Sequence, residues 1–182
     1  MKYISVILLL LMLMLVGCNT VKDEILAPTD ETPDAQGYYS RSGGGVNLRY
    51  KTVGNDLQCI LSANTPGWLS VGFDPSSRMK DANYIIGYVN GGVGSIRDDW
   101  GTSQSSHEAD VALGGTSDIT LLASDESGGI TTLEFIIPLN SGDAKDKAMV
   151  IGNSYSLIFA KGNADDYDSM HSGTGVSTIT IH

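Results

Sequence analysis

From Tyr38 onward the chain is a series of short runs of strand-forming residues, separated by clusters of Gly, Asn, Asp and Ser. Runs such as VNLRYKTV (46–53) partly alternate apolar and polar residues, and no window of about a dozen residues keeps a helical period. Turn signals such as Asn90-Gly91 are frequent, and the chain contains 22 glycines. Nine or more short strands at this spacing predict an all-β fold of two packed antiparallel sheets, a β-sandwich, with a closed barrel as the second choice.

The N-terminus has the pattern of an export signal. Lys2 precedes an almost entirely apolar run at 4–16, which is shorter than the roughly 20 residues of a membrane span. The run ends in LVGC (15–18), which resembles the lipobox of bacterial lipoproteins, where the signal is cut before the cysteine and that cysteine is lipidated. We therefore expect a signal peptide at 1–17, lipidation of Cys18 and an extracytoplasmic protein anchored to a membrane through its lipid. The alternative is an ordinary signal peptide with an incidental cysteine.

Two segments follow the leader. Residues 18–37 are polar, acidic and interrupted by Pro28 and Pro33, which predicts a flexible tether that holds a domain away from the membrane. Residues 38–182 show no internal repeat and no second linker, and they are long enough to bury a core. We expect them to form one domain.

Charge and cysteine content exclude several functions. The chain has a net charge of −10, and phosphate binding needs a basic footprint, so nucleic acid is not an expected partner. The charge fits general solubility, or a basic redox partner that is attracted electrostatically. Cys59 is expected to be a buried apolar residue, and the sequence has no CxxC or CxxCH motif, which argues against zinc fingers, thioredoxin chemistry and covalently attached haem.

Few residues could bind a metal through nitrogen or sulfur. His182 is the last residue and His107 lies in a long polar stretch, so both are expected to be solvated surface residues. His171 lies in a loop before the final strand, and the small residues after it would let a bulky ligand approach. Met79 stands among polar turn residues, where a thioether either folds back onto the sandwich or binds a soft metal. The residues alone leave these alternatives open.

Hydrolytic catalysis is poorly supported, because no Gly-x-Ser-x-Gly motif is present. The pairs Asp98-Asp99 and Asp165-Asp166 could serve as glycosidase carboxylates or bind Ca²⁺, but adjacent acids in turns are usually only solvated. Four aromatic residues could line a sugar-binding face, although aromatic residues of a sandwich more often fill its core: Trp68, Tyr84, Tyr88 and Trp100.

Four segments together resemble the DOMON domain family, which includes the haem-binding cytochrome domain of cellobiose dehydrogenase. They are GWLSVGFDPSSRMKDANYIIGYVN (67–90), IRDDWGTSQSSHEAD (96–110), TTLEFIIPLNSGD (131–143) and YSLIFAKGNADDYDSMHSGTG (155–175). The first is the most specific, with a Gly-Trp-x-x-x-Gly-Phe strand followed by a loop methionine and an apolar strand.

The resemblance implies an immunoglobulin-like antiparallel β-sandwich that binds one haem b noncovalently. In the cytochrome branch the axial ligands are a methionine after the Gly-Phe strand and a histidine before the last strand, and those positions carry Met79 and His171. Such a centre moves single electrons, so we expect exchange with another redox protein and no substrate turnover by this chain. The alternative is a haem-free carbohydrate-binding lipoprotein on the same fold. Four further residues are expected near the haem from their position in the sequence: Phe73, Ile85, Tyr88 and Tyr167.

Overall fold

The computed structural model describes residues 32–182, so the leader, Cys18 and most of the tether lie outside the described residues. The predicted all-β sandwich is confirmed. Its strands are β1 (Tyr39–Gly43), β2 (Val46–Val53), β3 (Asp56–Asn64), β4 (Leu69–Phe73), β5 (Asn83–Asn90), β6 (Val93–Ser103), β7 (Ser106–Ala109), β8 (Thr120–Ser127), β9 (Ile130–Pro138), β10 (Ser154–Lys161) and β11 (Gly173–Thr180).

The strands form two antiparallel sheets. One sheet has five strands in the order β1-β2-β3-β9-β8, and the other has six in the order β11-β10-β4-β5-β6-β7. A 3₁₀ helix at Asp110–Leu113 follows β7. Within residues 32–182, no helix is long and apolar enough to cross a lipid bilayer.

The core lies between the two sheets and follows from side-chain alternation. In β3 every second residue is buried, and Leu57, Cys59 and Leu61 all point inward. β9 repeats the pattern with Leu133 and Phe135, which pair with Leu61 and Cys59. Cys59 is a free, buried cysteine, and burial raises the pKa of its thiol, so it behaves as a small apolar residue.

The two central strands of the six-stranded sheet are buried on both faces. All five residues of β4 are buried, although only Leu69, Val71 and Phe73 belong to the core. Since successive side chains of a strand point to opposite faces, Ser70 and Gly72 lie on the other face of the sheet. That outer face is therefore covered as well, by the loop after β4 and the loop before β11.

Candidate functional site

A cavity of about 910 Å³ lies on the outer face of the six-stranded sheet. Its floor comes from residues of β4, β5 and β10 that point away from the core, and Ser70 pairs directly with Ile86 on one side and Ala160 on the other. Three segments form the walls: the loop after β4, the β6–β7 hairpin and the loop before β11. Ligand pockets usually have volumes of about 300 to 1,000 Å³, so this cavity is large enough for a bulky planar group.

Met79 lines the cavity from the loop that joins β4 to β5. The loop is held by a hydrogen bond from Ser76 N to Lys80 O (2.9 Å) and another from Lys80 N to Ser77 O (3.0 Å). It also contains the three non-glycine residues of the described chain that have positive φ: Asp74 (50°), Arg78 (54°) and Asp81 (60°). Such backbone conformations cost free energy and concentrate at functional sites, which makes this loop a candidate for function.

Gly101 of β6 fixes the height of the Met79 loop above the sheet. Asp81 N donates to Gly101 O (2.8 Å) and Gly101 N donates to Ala82 O (2.9 Å), so the loop is docked on this strand. A Cβ atom at position 101 would lie 1.7 Å from the carbonyl oxygen of Met79. Only glycine allows the loop to approach this closely.

His171 lines the same cavity from the loop between β10 and β11. Asp166 organises this loop by accepting hydrogen bonds from the hydroxyl and the backbone N–H of Ser169, and these bonds lower the pKa of its carboxyl. Ser172 N donates to Lys161 O (2.7 Å) and closes the loop onto β10. The fold therefore brings Met79 and His171 to one cavity although they are far apart in the sequence.

His107 also lines the cavity, which corrects the expectation that it is a solvated surface residue. Its side chain is only 18% exposed, because β7 pairs it with Gly101 beneath the Met79 loop. Nδ1 of His107 lies 2.5 Å from Oδ2 of Asp99. The Asp99 carboxylate also accepts two hydrogen bonds from Arg97, one on each oxygen. Burial raises the pKa of Asp99, but the hydrogen bonds from His107 and Arg97 outweigh it and keep the pKa below its ordinary value.

The geometry at His107 determines what the ring can do. A carboxylate only accepts hydrogen bonds, so Nδ1 of His107 is the donor to Asp99, and in the neutral ring Nε2 keeps its lone pair. A ring held in this way is typical of metal-binding histidines. Sequence reasoning missed this residue because its partner is buried only once β6 and β7 have paired.

None of the four expected pocket neighbours lines the cavity, and two of them lie on the opposite face of the sheet. Phe73 and Ile85 belong to the core between the sheets and do not line the cavity. Each is one position away from a residue of the opposite face: Gly72 precedes Phe73, and Ile86, which lines the cavity, follows Ile85. The expectation is therefore corrected, and the physical reason is the alternation of side chains along β4 and β5.

Tyr88 and Tyr167 do not line the cavity either, but Tyr167 directly precedes Asp168, which does. Their rings are 5.1 Å apart, and the hydroxyl of Tyr167 lies 2.6 Å from the Ser95 hydroxyl. The guanidinium of Arg97 lies 4.3 Å from the centre of the Tyr167 ring, which is a cation–π contact. These contacts attach the loop that carries His171 to the outer face of the sheet.

Fold and site together define a class of protein: a β-sandwich with a loop-walled cavity on the outer face of one sheet, where thioether and imidazole groups meet. A family model, the DOMON domain, matches residues 42–162, and the chain belongs to that family. The matched residues include Met79 and His107 and end before His171.

Two solved structures share the fold. The cytochrome b domain of pyranose dehydrogenase from Coprinopsis cinerea is 15% identical, with a TM-score of 0.56 over 74% of this chain and 75% of that one. The cytochrome domain of Myriococcum thermophilum cellobiose dehydrogenase is 12% identical, with a TM-score of 0.60 over 80% of this chain and 83% of that one. At these identities the similarity concerns the fold.

Proposed function

We propose that this protein is a b-type cytochrome that transfers single electrons outside the cytoplasm, with Met79 and His171 as the axial ligands of one noncovalent haem. The observation that carries the proposal is that a thioether and an imidazole from loops 92 positions apart line one cavity. The fold similarity to two cytochrome domains of dehydrogenases supports it.

The cavity walls suit an apolar macrocycle. Trp68, Tyr84 and Ile86 contribute buried apolar surface to the cavity. At the rim, Met170 is 82% exposed and Val176 is 76% exposed, the highest values for large apolar side chains in the described part of the chain. Both side chains line the cavity, so a haem bound there would shield part of their apolar surface from water.

The donor set also fits. A haem iron held by a thioether and an imidazole undergoes one-electron transfer at a raised potential and has no free position for oxygen. Met79 supplies the soft ligand, and its three rotatable bonds let the sulfur adjust to the iron from a rigid loop. His171 lies on a loop that Asp166 organises internally and that Tyr167 attaches to the sheet. Residues of the chain would thus supply both of the iron ligands that lie outside the macrocycle.

His107 is the competing nitrogen ligand, because Asp99 already orients its ring. We assign the iron to His171 on the family resemblance, and we assign His107 to the cavity wall, where its ring centroid lies 5.5 Å from that of Tyr84. The experiment is to load the full-length protein, His171→Ala and His107→Ala with haem and to compare their reduced visible spectra. His171→Ala should lose the low-spin spectrum, whereas His107→Ala should keep it.

The opposite outcome, a low-spin spectrum that is lost in His107→Ala and kept in His171→Ala, would refute the ligand assignment. His182→Ala is the matched control, because His182 does not line the cavity. Its ring stacks instead on Tyr39 of β1, with 3.9 Å between the ring centroids. A pyridine haemochrome assay that finds no haem after expression with ample haem would refute the cytochrome itself.

The cellular setting is part of the proposal. Acylation of Cys18 would hold the domain at a membrane surface, with residues 18–37 as the tether, because each buried CH₂ contributes about 0.8 kcal/mol. The net charge of −10 would attract a basic redox partner and speed its encounter with the exposed rim of the cavity. The chain itself would turn over no substrate.

One observation favours the alternative of a haem-free carbohydrate-binding protein. Trp68 and Tyr84 line the cavity together with polar side chains at the rim, a combination that also suits a sugar. Isothermal titration with oligosaccharides separates the two functions. Our proposal predicts no saturable heat from the haem-loaded protein, and the alternative predicts saturable heat together with no haem.

A further inference from the structure

A cluster of three carboxylates lies at the inner face of β6, whereas the cavity lies at the outer face. Asp99 faces the cavity side, so the adjacent Asp98 points to the inner side, where it meets Asp110 and Asp146. One carboxylate oxygen from each of the three residues lies within 4.8 Å of the others. Asp98 is 3% exposed and Asp110 is fully buried.

The hydrogen bonding of this cluster is incomplete. Six buried side-chain atoms in the described part of the chain have no hydrogen-bond partner, and four of them are here: Asn83 Oδ1, Asp98 Oδ1 and both carboxylate oxygens of Asp110. The amide of Asn83 lies against the cluster, since Nδ2 donates to Asp146 Oδ1 (2.7 Å). Buried polar atoms nearly always have partners, so four orphaned oxygens in one place indicate a missing ligand.

The charge of the cluster is not balanced either. Among residues 32–182, none of the ion pairs involves Asp98, Asp110 or Asp146. Three carboxylate oxygens within 4.8 Å of one another would repel each other strongly in this buried space if all three groups were ionised. A bound metal ion would remove this conflict.

We propose that Asp98, Asp110, Asp146 and Asn83 form a Ca²⁺ site. Ca²⁺ binds oxygen ligands at about 2.3–2.6 Å, so two ligands of one ion lie at most about 5 Å apart, and the separation of the carboxylates satisfies that limit. Mg²⁺ usually keeps several waters and is seldom enclosed by an all-protein cage, which favours Ca²⁺. None of the four residues lines the cavity, so the proposal does not depend on haem binding.

The neighbouring contacts give the cluster a defined shape. Asp98 Oδ2 accepts a hydrogen bond from Asp118 N (3.0 Å), and Asp146 Oδ2 accepts one from the Ser141 hydroxyl (2.5 Å). One oxygen of Asp98 is thus used to position the carboxyl, while Oδ1 stays available. Asn83 begins β5, directly after the Met79 loop, so the ion would join the end of that loop to the segment that carries Asp146.

Isothermal titration of the full-length, EDTA-treated protein with CaCl₂ tests this site, with MgCl₂ as the comparison. We expect saturable binding of one Ca²⁺ with a dissociation constant below about 1 mM, and Ca²⁺ should raise the thermal unfolding midpoint. Asp110→Asn should weaken binding at least tenfold. Asp125→Asn makes the same charge change at an exposed position of β8 and should bind as the natural protein does.

Thermal unfolding of the same variants distinguishes the loss of a Ca²⁺ site from damage to the fold. Asp110→Asn removes one of the crowded charges, so its unfolding midpoint in EDTA should equal or exceed that of the natural protein while the response to Ca²⁺ is lost. Asp146→Asn provides a second variant with the same expectation. The proposal is overturned if the natural protein binds no Ca²⁺ at about 10 mM, well above the affinity range of weak sites, or if both variants bind as tightly as the natural protein. Preferential binding of Mg²⁺ would overturn the choice of ion.

Discussion

Replacing Gly101 by alanine should displace Met79 without touching its side chain. The new Cβ would lie 1.7 Å from the Met79 carbonyl oxygen, whereas ordinary contacts begin at 3.4 Å, so the loop must retreat by about 1.7 Å. Overpacking of this kind costs about 1–3 kcal/mol of unfolding free energy. The flexible Met79 side chain can absorb only part of the shift, so the sulfur should bind iron more weakly and the spectrum should become partly high-spin.

The assay compares haem-loaded Gly101→Ala with Gly87→Ala by visible spectroscopy and urea unfolding. Gly87 is another crowded glycine in the same sheet, where a Cβ would lie 2.5 Å from Ser95 O and 2.7 Å from Leu133 Cδ1, on the core side. Both variants should lose stability, but only Gly101→Ala should lose low-spin character. Destabilisation of Gly101→Ala with an unchanged spectrum would refute the reasoning that Gly101 positions Met79.

Three further changes have defined outcomes. Met79→His should keep a low-spin spectrum but lower the potential by on the order of 100 mV in a redox titration, because a second imidazole removes the thioether's preference for ferrous iron; an unchanged potential would contradict ligation by Met79. Asp99→Asn should lower the free energy of unfolding by about 1–3 kcal/mol in urea titrations, since Arg97 and His107 lose a buried charged acceptor; a neutral effect would argue against that network. Cys18→Ser should leave the precursor uncleaved or release the protein from membranes, as mass spectrometry of the mature N-terminus and fractionation would detect; an unmodified peptide spanning residues 17 and 18 in the mature natural protein would rule out the anchor.

The sandwich was predictable because apolar and polar residues alternate in the sequence wherever one face of a strand is exposed to solvent. β9 is an example, since buried Leu133 and Phe135 alternate with partly exposed residues. β4 and β5 are different, because both of their faces are largely covered and their sequences are mostly apolar. A continuous apolar run does not say which side chain faces which side. Phe73 and Ile85 were therefore expected at the cavity although they lie in the core.

The candidate site was predictable only in part. Met79 and His171 came from a family resemblance, and the fold brings both to one cavity. His107 was missed because its significance depends on Asp99, eight positions earlier, and on the hairpin that joins them. The carboxylate cluster was missed for the same reason. Asp98 was considered only together with its neighbour in sequence, whereas its partners in space are Asp110 and Asp146.

A crystal structure of the haem-loaded protein tests the central claim most directly, because the cavity contains more than one sulfur and more than one imidazole. We predict a single haem in this cavity, with Met79 Sδ and a ring nitrogen of His171 bound to opposite faces of the iron. A haem held by His107 or by Met170, or bound outside the cavity, would contradict the assignment.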